Sequence, residues 1–169
     1  MLAGDSSGGD IALSYVLASQ RSGHAAPAAL VLLNPVTDYA MDSASYIEFA
    51  DDPNLSRQAM AWFWEQYIPE ASLRADALAS PLRAGVESFR AFPPTLIVTC
   101  EYDVLRDQGE ALALELVQAD VDVTAVRWLG ALHRFLVTED LLRGPAAQRC
   151  LDCVAQYCRR LNGTGRELA

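Results

Sequence analysis

Two short apolar runs frame this chain: Ala28 to Leu33, closed by Asn34-Pro35, and Thr95 to Cys100, introduced by Pro93-Pro94. A strand with one face in water alternates polar and apolar side chains. These runs offer no polar face, so each suits a strand buried on both sides. A third run, Val121 to Trp128, is rich in β-branched residues. Helix-forming stretches precede, separate and follow them. One spans Gly8 to Ser22 and ends at Gly23, the usual C-terminal cap. Another runs to Ala119, with Asp107 and Glu110 spaced as a capping box. The last covers Pro145 to Leu161, ahead of a tail, NGTGRELA, expected to fray. Strands separated by helices imply an α/β fold with a mainly parallel sheet and helices on both faces. Residues 38–82 break the pattern. They are helix-prone, carry Trp62, Phe63, Trp64 and Tyr67, and are too long for a tight connection, so a helical insertion acting as a cap or lid is expected.

Composition narrows the partners. The chain is 51% hydrophobic and 21% charged, which fits one domain or a large part of one. A net charge of -9, from 22 acidic against 13 basic residues, disfavours a phosphate-backbone partner. No apolar run approaches the ~20 residues of a membrane span. The start, MLAGDSSGGD, lacks the positive flank of a secretory signal, so a cytoplasmic location is expected. Cys150 and Cys153 have C-x-x-C spacing, but no second pair or clustered histidine completes a metal site. Ala147, Cys150, Leu151, Val154, Cys158 and Leu161 instead recur as one apolar helix face, so buried free thiols are expected, with no metal or organic cofactor.

The chemistry is written at the start of the chain. Gly4-Asp5-Ser6-Ser7-Gly8, followed by Gly9, fits G-x-S-x-G immediately ahead of an amphipathic helix. Small residues around Ser6 let the chain turn sharply from strand to helix, which lifts the hydroxyl into a cleft. The same turn aims the Ser7 N–H at a developing oxyanion. A phosphate-binding loop would need a lysine near the second glycine, and none is present. A chymotrypsin-like order would need histidine and aspartate before the serine, where only five residues stand. Of the two histidines, His24 lies at a helix end, whereas His133 follows the third strand in a loop at the C-terminal edge of the sheet. The second strand leads to Glu101, Asp103 and Asp107. With Asp107 used as a cap and Glu101 still in the strand, Asp103 is the expected partner of His133.

With these residues placed, the chain resembles the bacterial hormone-sensitive-lipase-like carboxylesterases of the α/β-hydrolase superfamily. Gly4 to Gly9 match their G-D-S-A-G-G string, Asp103 to Gly109 their D-P-L-R-D-E-G, and His133-Arg134-Phe135 their H-G-F. The resemblance covers nearly the whole chain. It implies ester hydrolysis through an acyl-serine, with Ser6 as nucleophile, Asp103 as acid and His133 as base. Trp62, Phe63, Trp64 and Tyr67 become candidates for a lid over the acyl pocket, or for packing of the insertion onto the core. Val104 and Arg134 depart from the family's proline and glycine. The family's H-G-G-G oxyanion loop and first strands precede its nucleophile and find no match here. A partial, C-terminal portion of the catalytic domain, residues 1–169, weakly active alone, is therefore expected. Its bare sheet edge would pair with a second copy or a complementing chain. A non-catalytic binding module and a serine peptidase of the same superfamily are the alternatives.

Overall fold

The computed structural model describes residues 1–164, with side chains through Leu161. Parallel strands β1 (Leu2–Asp5), β2 (Leu30–Leu33), β3 (Thr95–Tyr102) and β4 (Val123–Leu132) lie in that order across one sheet. Helix α1 (Ser7–Arg21) joins β1 to β2. Between β2 and β3 come α2 (Ala44–Glu48), α3 (Arg57–Tyr67), 3₁₀ turns at Ala71–Leu73 and Pro81–Ala84, and α4 (Val86–Phe89). Helix α5 (Arg106–Gln118) joins β3 to β4.

Both faces of the central strands are dry, as the unbroken apolar runs require. Leu32 pairs with Ile97 and Val31 with Leu96 in register, and all four are at most 1% exposed. On one face Leu13, Val16 and Leu17 of α1 and Leu112 and Leu116 of α5 form a core with Leu30, Leu32 and Ile97. Each such side chain contributes roughly 1.5–3 kcal/mol by leaving water. Residues 38–82 build a second cluster. Tyr46, Leu55, Met60 and Trp64 pack with Val36 and with Val104 and Leu105, from the turn that follows β3.

The strands outrun their sequence signals. β3 extends two residues past Cys100, and β4 continues from Trp128 to Leu132. Register shifts between Cys100 and Tyr102, and Tyr102 then pairs with Leu132. Gly130 supplies the left-handed φ of 74° this irregularity needs, and its N–H donates to the Glu101 carboxylate at 2.6 Å. The glycine here serves as a bulge. His133 is therefore the first residue of the turn that follows the strand, as the sequence leads one to expect, but the strand reaches closer to it.

The expected capping box does not form. Helix α5 starts at Arg106, with Leu105 at the N-cap and no side-chain cap. Asp107 instead accepts from the Ser45 N–H at 2.7 Å and from Arg106 Nε at 2.8 Å. Glu110 binds Arg127 through both carboxylate oxygens, at 2.7 and 2.5 Å. Donors brought from elsewhere in the fold, two of them charged, take these acids in place of the amides at the start of α5.

Residues from Arg134 onward form a separate compact unit, with α6 (Glu139–Leu142) and α7 (Pro145–Thr164). Within α7, Ala147 and Cys150 are buried and Cys153 and Cys158 half-buried, and no disulfide joins the four cysteines of the chain. Leu151 is exposed, so the buried stripe is narrower than the helical repeat predicts, and two of the thiols are less buried than expected. Burial pushes the Cys150 thiol up to about 11, which leaves it protonated and unreactive near neutrality. The tail expected to fray begins inside α7, and residues 165–169 lie outside those described. No described helix is long and apolar enough to cross a membrane.

Candidate active site

Because the strands are parallel, the residues following β1, β3 and β4 emerge at one edge of the sheet, and the candidate site assembles there. Asp5 ends β1 opposite Leu33, and Ser6 follows at φ 55° and ψ −116°. A non-glycine residue at positive φ is strained by roughly 1–3 kcal/mol and persists only when its surroundings hold it. The Ser6 N–H donates to Leu33 O at 2.8 Å, while Ser6 O accepts from Val36 N–H at 3.1 Å and Gly9 N–H at 3.0 Å.

The glycines around Ser6 are not equivalent. A Cβ at Gly4 would lie 2.1 Å from the Gly8 carbonyl oxygen, and one at Gly9 would lie 2.7 Å from Pro35 Cβ. At Gly8 nothing lies within 4 Å. The expectation that bulk on either side of the serine would clash is therefore corrected for Gly8. The turn closes through the strand-side glycine and the second helix glycine. Ser7 opens α1, and its first-turn N–H has no acceptor within the helix and lies at the positive end of the helix dipole.

His133 and Asp103 are 3% and 1% exposed. Ser6 Oγ lies 3.1 Å from His133 Nε2, and His133 Nδ1 lies 2.6 Å from Asp103 Oδ2. A carboxylate oxygen accepts only, which puts the imidazole proton on Nδ1 and leaves Nε2 to accept from the Ser6 hydroxyl. The backbone of His133 is tied to β3 by its N–H, which donates to Tyr102 O at 3.3 Å. Asp103 Oδ1 accepts from the Leu105 N–H at 2.9 Å. His24 is exposed beyond the C-terminal end of α1. Arg134, next to His133, adopts φ 69°, a conformation suited to the glycine of the resembling family.

The four aromatics of α3 divide. Trp64 is buried in the second cluster, whereas Trp62, Phe63 and Tyr67 are 55%, 49% and 55% exposed. Residues that the motifs did not single out surround the acid turn. Ser45 and Arg106 bond the turn itself. Arg106 Nη1 donates to Glu101 O, and its Nη2 reaches Glu48 at 3.1 Å. Tyr46 is fully buried, and its phenol is pushed upward by burial and then by Asp103 and Asp38. Asp10, in the first turns of α1, is 4% exposed, and its Oδ1 is buried without a hydrogen-bond partner. Burial raises its carboxyl to about 7. A helical wheel carries a signal for Asp10, which shares the stripe of Leu13 and Leu17, but no motif marks Ser45.

Similarity to known proteins agrees with this fold. A family model described as the alpha/beta hydrolase fold matches residues 1–137. An esterase of Gibberella moniliformis is 36% identical over 162 residues, spanning 95% of this chain and 51% of its own length. The crystal structure of a thermostable esterase from Pseudomonas putida superposes with a TM-score of 0.85 at 42% identity, covering 88% of this chain and 46% of that one. That of carboxyl esterase 2 from Tuber melanosporum gives 0.87 at 34% identity, covering 90% and 50%. The chain spans about half the length of the relatives it matches.

Proposed function

The chain belongs to the α/β-hydrolase-fold family, in its hormone-sensitive-lipase-like, carboxylesterase-related branch, and from that premise we propose that it hydrolyses carboxylic esters through an acyl-serine intermediate. The observation that carries this reading is the unbroken line from Ser6 Oγ through His133 to Asp103, at 3.1 and 2.6 Å. Both contacts fall within the reach of proton transfer and of an orienting hydrogen bond.

In this mechanism the Ser6 oxygen attacks the ester carbonyl as its proton passes to His133 Nε2. The Ser7 N–H meets the oxyanion of the tetrahedral intermediate. Collapse expels the alcohol, which takes the proton back from His133, and leaves the acyl group on Ser6. Water then repeats the sequence, with His133 as base, and releases the acid. Asp103 holds the imidazole in the tautomer that can accept from Ser6 and stabilises it when protonated. Burial of His133 and Asp103 keeps this pair out of bulk water, which strengthens their interaction.

Residues 38–82 serve in this reading as the cap contributed by a partial catalytic domain. The exposed Trp62, Phe63 and Tyr67 are its candidates for meeting the acyl chain, and Trp64 anchors them. The substrate is a small-molecule ester.

Phosphonylation tests the reading, because a fluorophosphonate probe requires only an activated serine hydroxyl. Labelling of the 169-residue chain that disappears in Ser6→Ala and falls by about 10³–10⁴ in His133→Ala is expected from the size of triad effects. Absence of labelling in the folded parent, or labelling that survives Ser6→Ala, overturns it.

A further inference from the structure

Ser45 is the second residue of α2, fully buried, and it directs its N–H and its hydroxyl at the turn after β3, while its carbonyl accepts from the Phe49 N–H at 3.0 Å and its hydroxyl also lies 3.2 Å from Ser43 Oγ. Its hydroxyl donates to Val104 O at 2.7 Å and accepts from the Asp107 N–H at 3.2 Å, while its own N–H donates to Asp107 Oδ2 at 2.7 Å. The contact with Val104 has a particular geometry. The carbonyl of Val104 and the N–H of Leu105 belong to one peptide group, and that N–H donates to Asp103 Oδ1 at 2.9 Å. A peptide group is planar and rigid, so an atom that sets the direction of its carbonyl also sets the direction of its N–H.

We propose that Ser45 is a positioning residue for the reaction assigned to this site, acting on Asp103 through the Val104–Leu105 peptide. The line of groups then runs from the Ser45 hydroxyl to Val104 O, across the peptide to the Leu105 N–H, and on to Asp103 Oδ1. It continues from Asp103 Oδ2 to His133 and Ser6. Holding Oδ1 fixes the rotation of the carboxylate and so keeps Oδ2 aimed at His133 Nδ1. Hydrogen bonds in such a chain also polarise one another, so the first contact strengthens the last. The contacts to Asp107 hold the far end of the turn, so the peptide cannot rotate away by moving the whole segment. This role gives the beginning of the 38–82 segment a duty separate from meeting the acyl chain: it buttresses the acid.

The inference rests on the esterase reading, and its test does not depend on turnover. The chain has two histidines, so the proton in the His133 Nδ1···Asp103 Oδ2 hydrogen bond is a low-field NMR signal that can be assigned by its loss in His133→Ala. In Ser45→Ala this signal is expected to move upfield or broaden. Phosphonylation of Ser6 is expected to slow about tenfold, the order of effect of one lost buried hydrogen bond. Ser45→Cys keeps the bulk with a weaker donor and is expected to give an intermediate signal, which preserves the test if the alanine variant folds poorly. Ser14→Ala removes a comparable 2.7 Å hydroxyl–carbonyl bond, to Leu78 O, away from the acid turn, and supplies the comparison for stability alone. Unmoved low-field signals in both Ser45 variants, or slowing matched by Ser14→Ala at equal loss of stability, would overturn the role. A parent that is not labelled at all counts against the esterase reading, while the NMR signal still decides whether Ser45 orients Asp103.

Discussion

Asp10 offers the most direct test of the electrostatics around the nucleophile helix. Its carboxyl is buried in α1 and is raised from 3.8 to about 7 by desolvation. In the unfolded chain it loses its proton near pH 4, whereas in the folded chain it keeps the proton until about pH 7. Between those values the folded state binds more protons than the unfolded one, so stability falls as pH rises through this window and levels off above it. About three decades at 1.36 kcal/mol each set a total near 4 kcal/mol. The positive end of α1 favours the anion and trims that by up to about 1 kcal/mol. Asp10→Asn removes the ionisation and keeps the shape. Its stability advantage over the parent, from urea unfolding, is expected to be about 2–3 kcal/mol larger at pH 8 than at pH 5. Taking the difference cancels every titration the two proteins share. Tyr67, whose phenol is raised by burial and then by Asp10, titrates well above this range. An advantage that is equal at the two pH values would refute the claim that Asp10 is a buried, unpartnered acid.

Three further substitutions test the local backbone. Gly4→Ala and Gly8→Ala should part company in urea unfolding: the first drives a Cβ into the Gly8 carbonyl and costs more than about 3 kcal/mol, while the second enters open space on a helix and gains up to about 1 kcal/mol. Equal losses at both positions would contradict the steric account of the turn. Arg134→Gly releases a left-handed conformation that costs a side-chain-bearing residue about 1–2 kcal/mol, so the midpoint of unfolding should rise; an unchanged or lower midpoint would show that contacts of the arginine outweigh the strain.

Local pattern carried much of the fold. The runs at Ala28–Leu33 and Thr95–Cys100 announce doubly buried strands because no charged residue and no regular polar alternation marks an exposed face. The turn at Ser6 is legible because a sharp strand-to-helix reversal restricts residue size at Gly4 and Gly9. The single histidine after the last strand singled out His133, and the structure brings it to Ser6. The capping box was misread for a physical reason: Asp107 and Glu110 have the right spacing, but Arg106, Arg127 and Ser45 reach them in three dimensions. Gly130 likewise takes its meaning from three dimensions, since its left-handed φ serves a bulge beside Glu101.

The sequence by itself determined what depends on neighbours along the chain: which segments are apolar on both faces, where the backbone must reverse, and in which order the serine, acid and histidine occur. Tertiary structure alone decided what depends on separation in space. It set the 3.1 and 2.6 Å contacts joining residues up to 127 positions apart, and it split the α3 aromatics into one buried anchor and three exposed rings. It also recruited Ser45 from 59 positions upstream to hold the Val104 carbonyl. Apolar periodicity is a property of one segment in water, whereas a hydrogen bond between distant segments exists only after the chain has collapsed and excluded the water that would otherwise satisfy both partners.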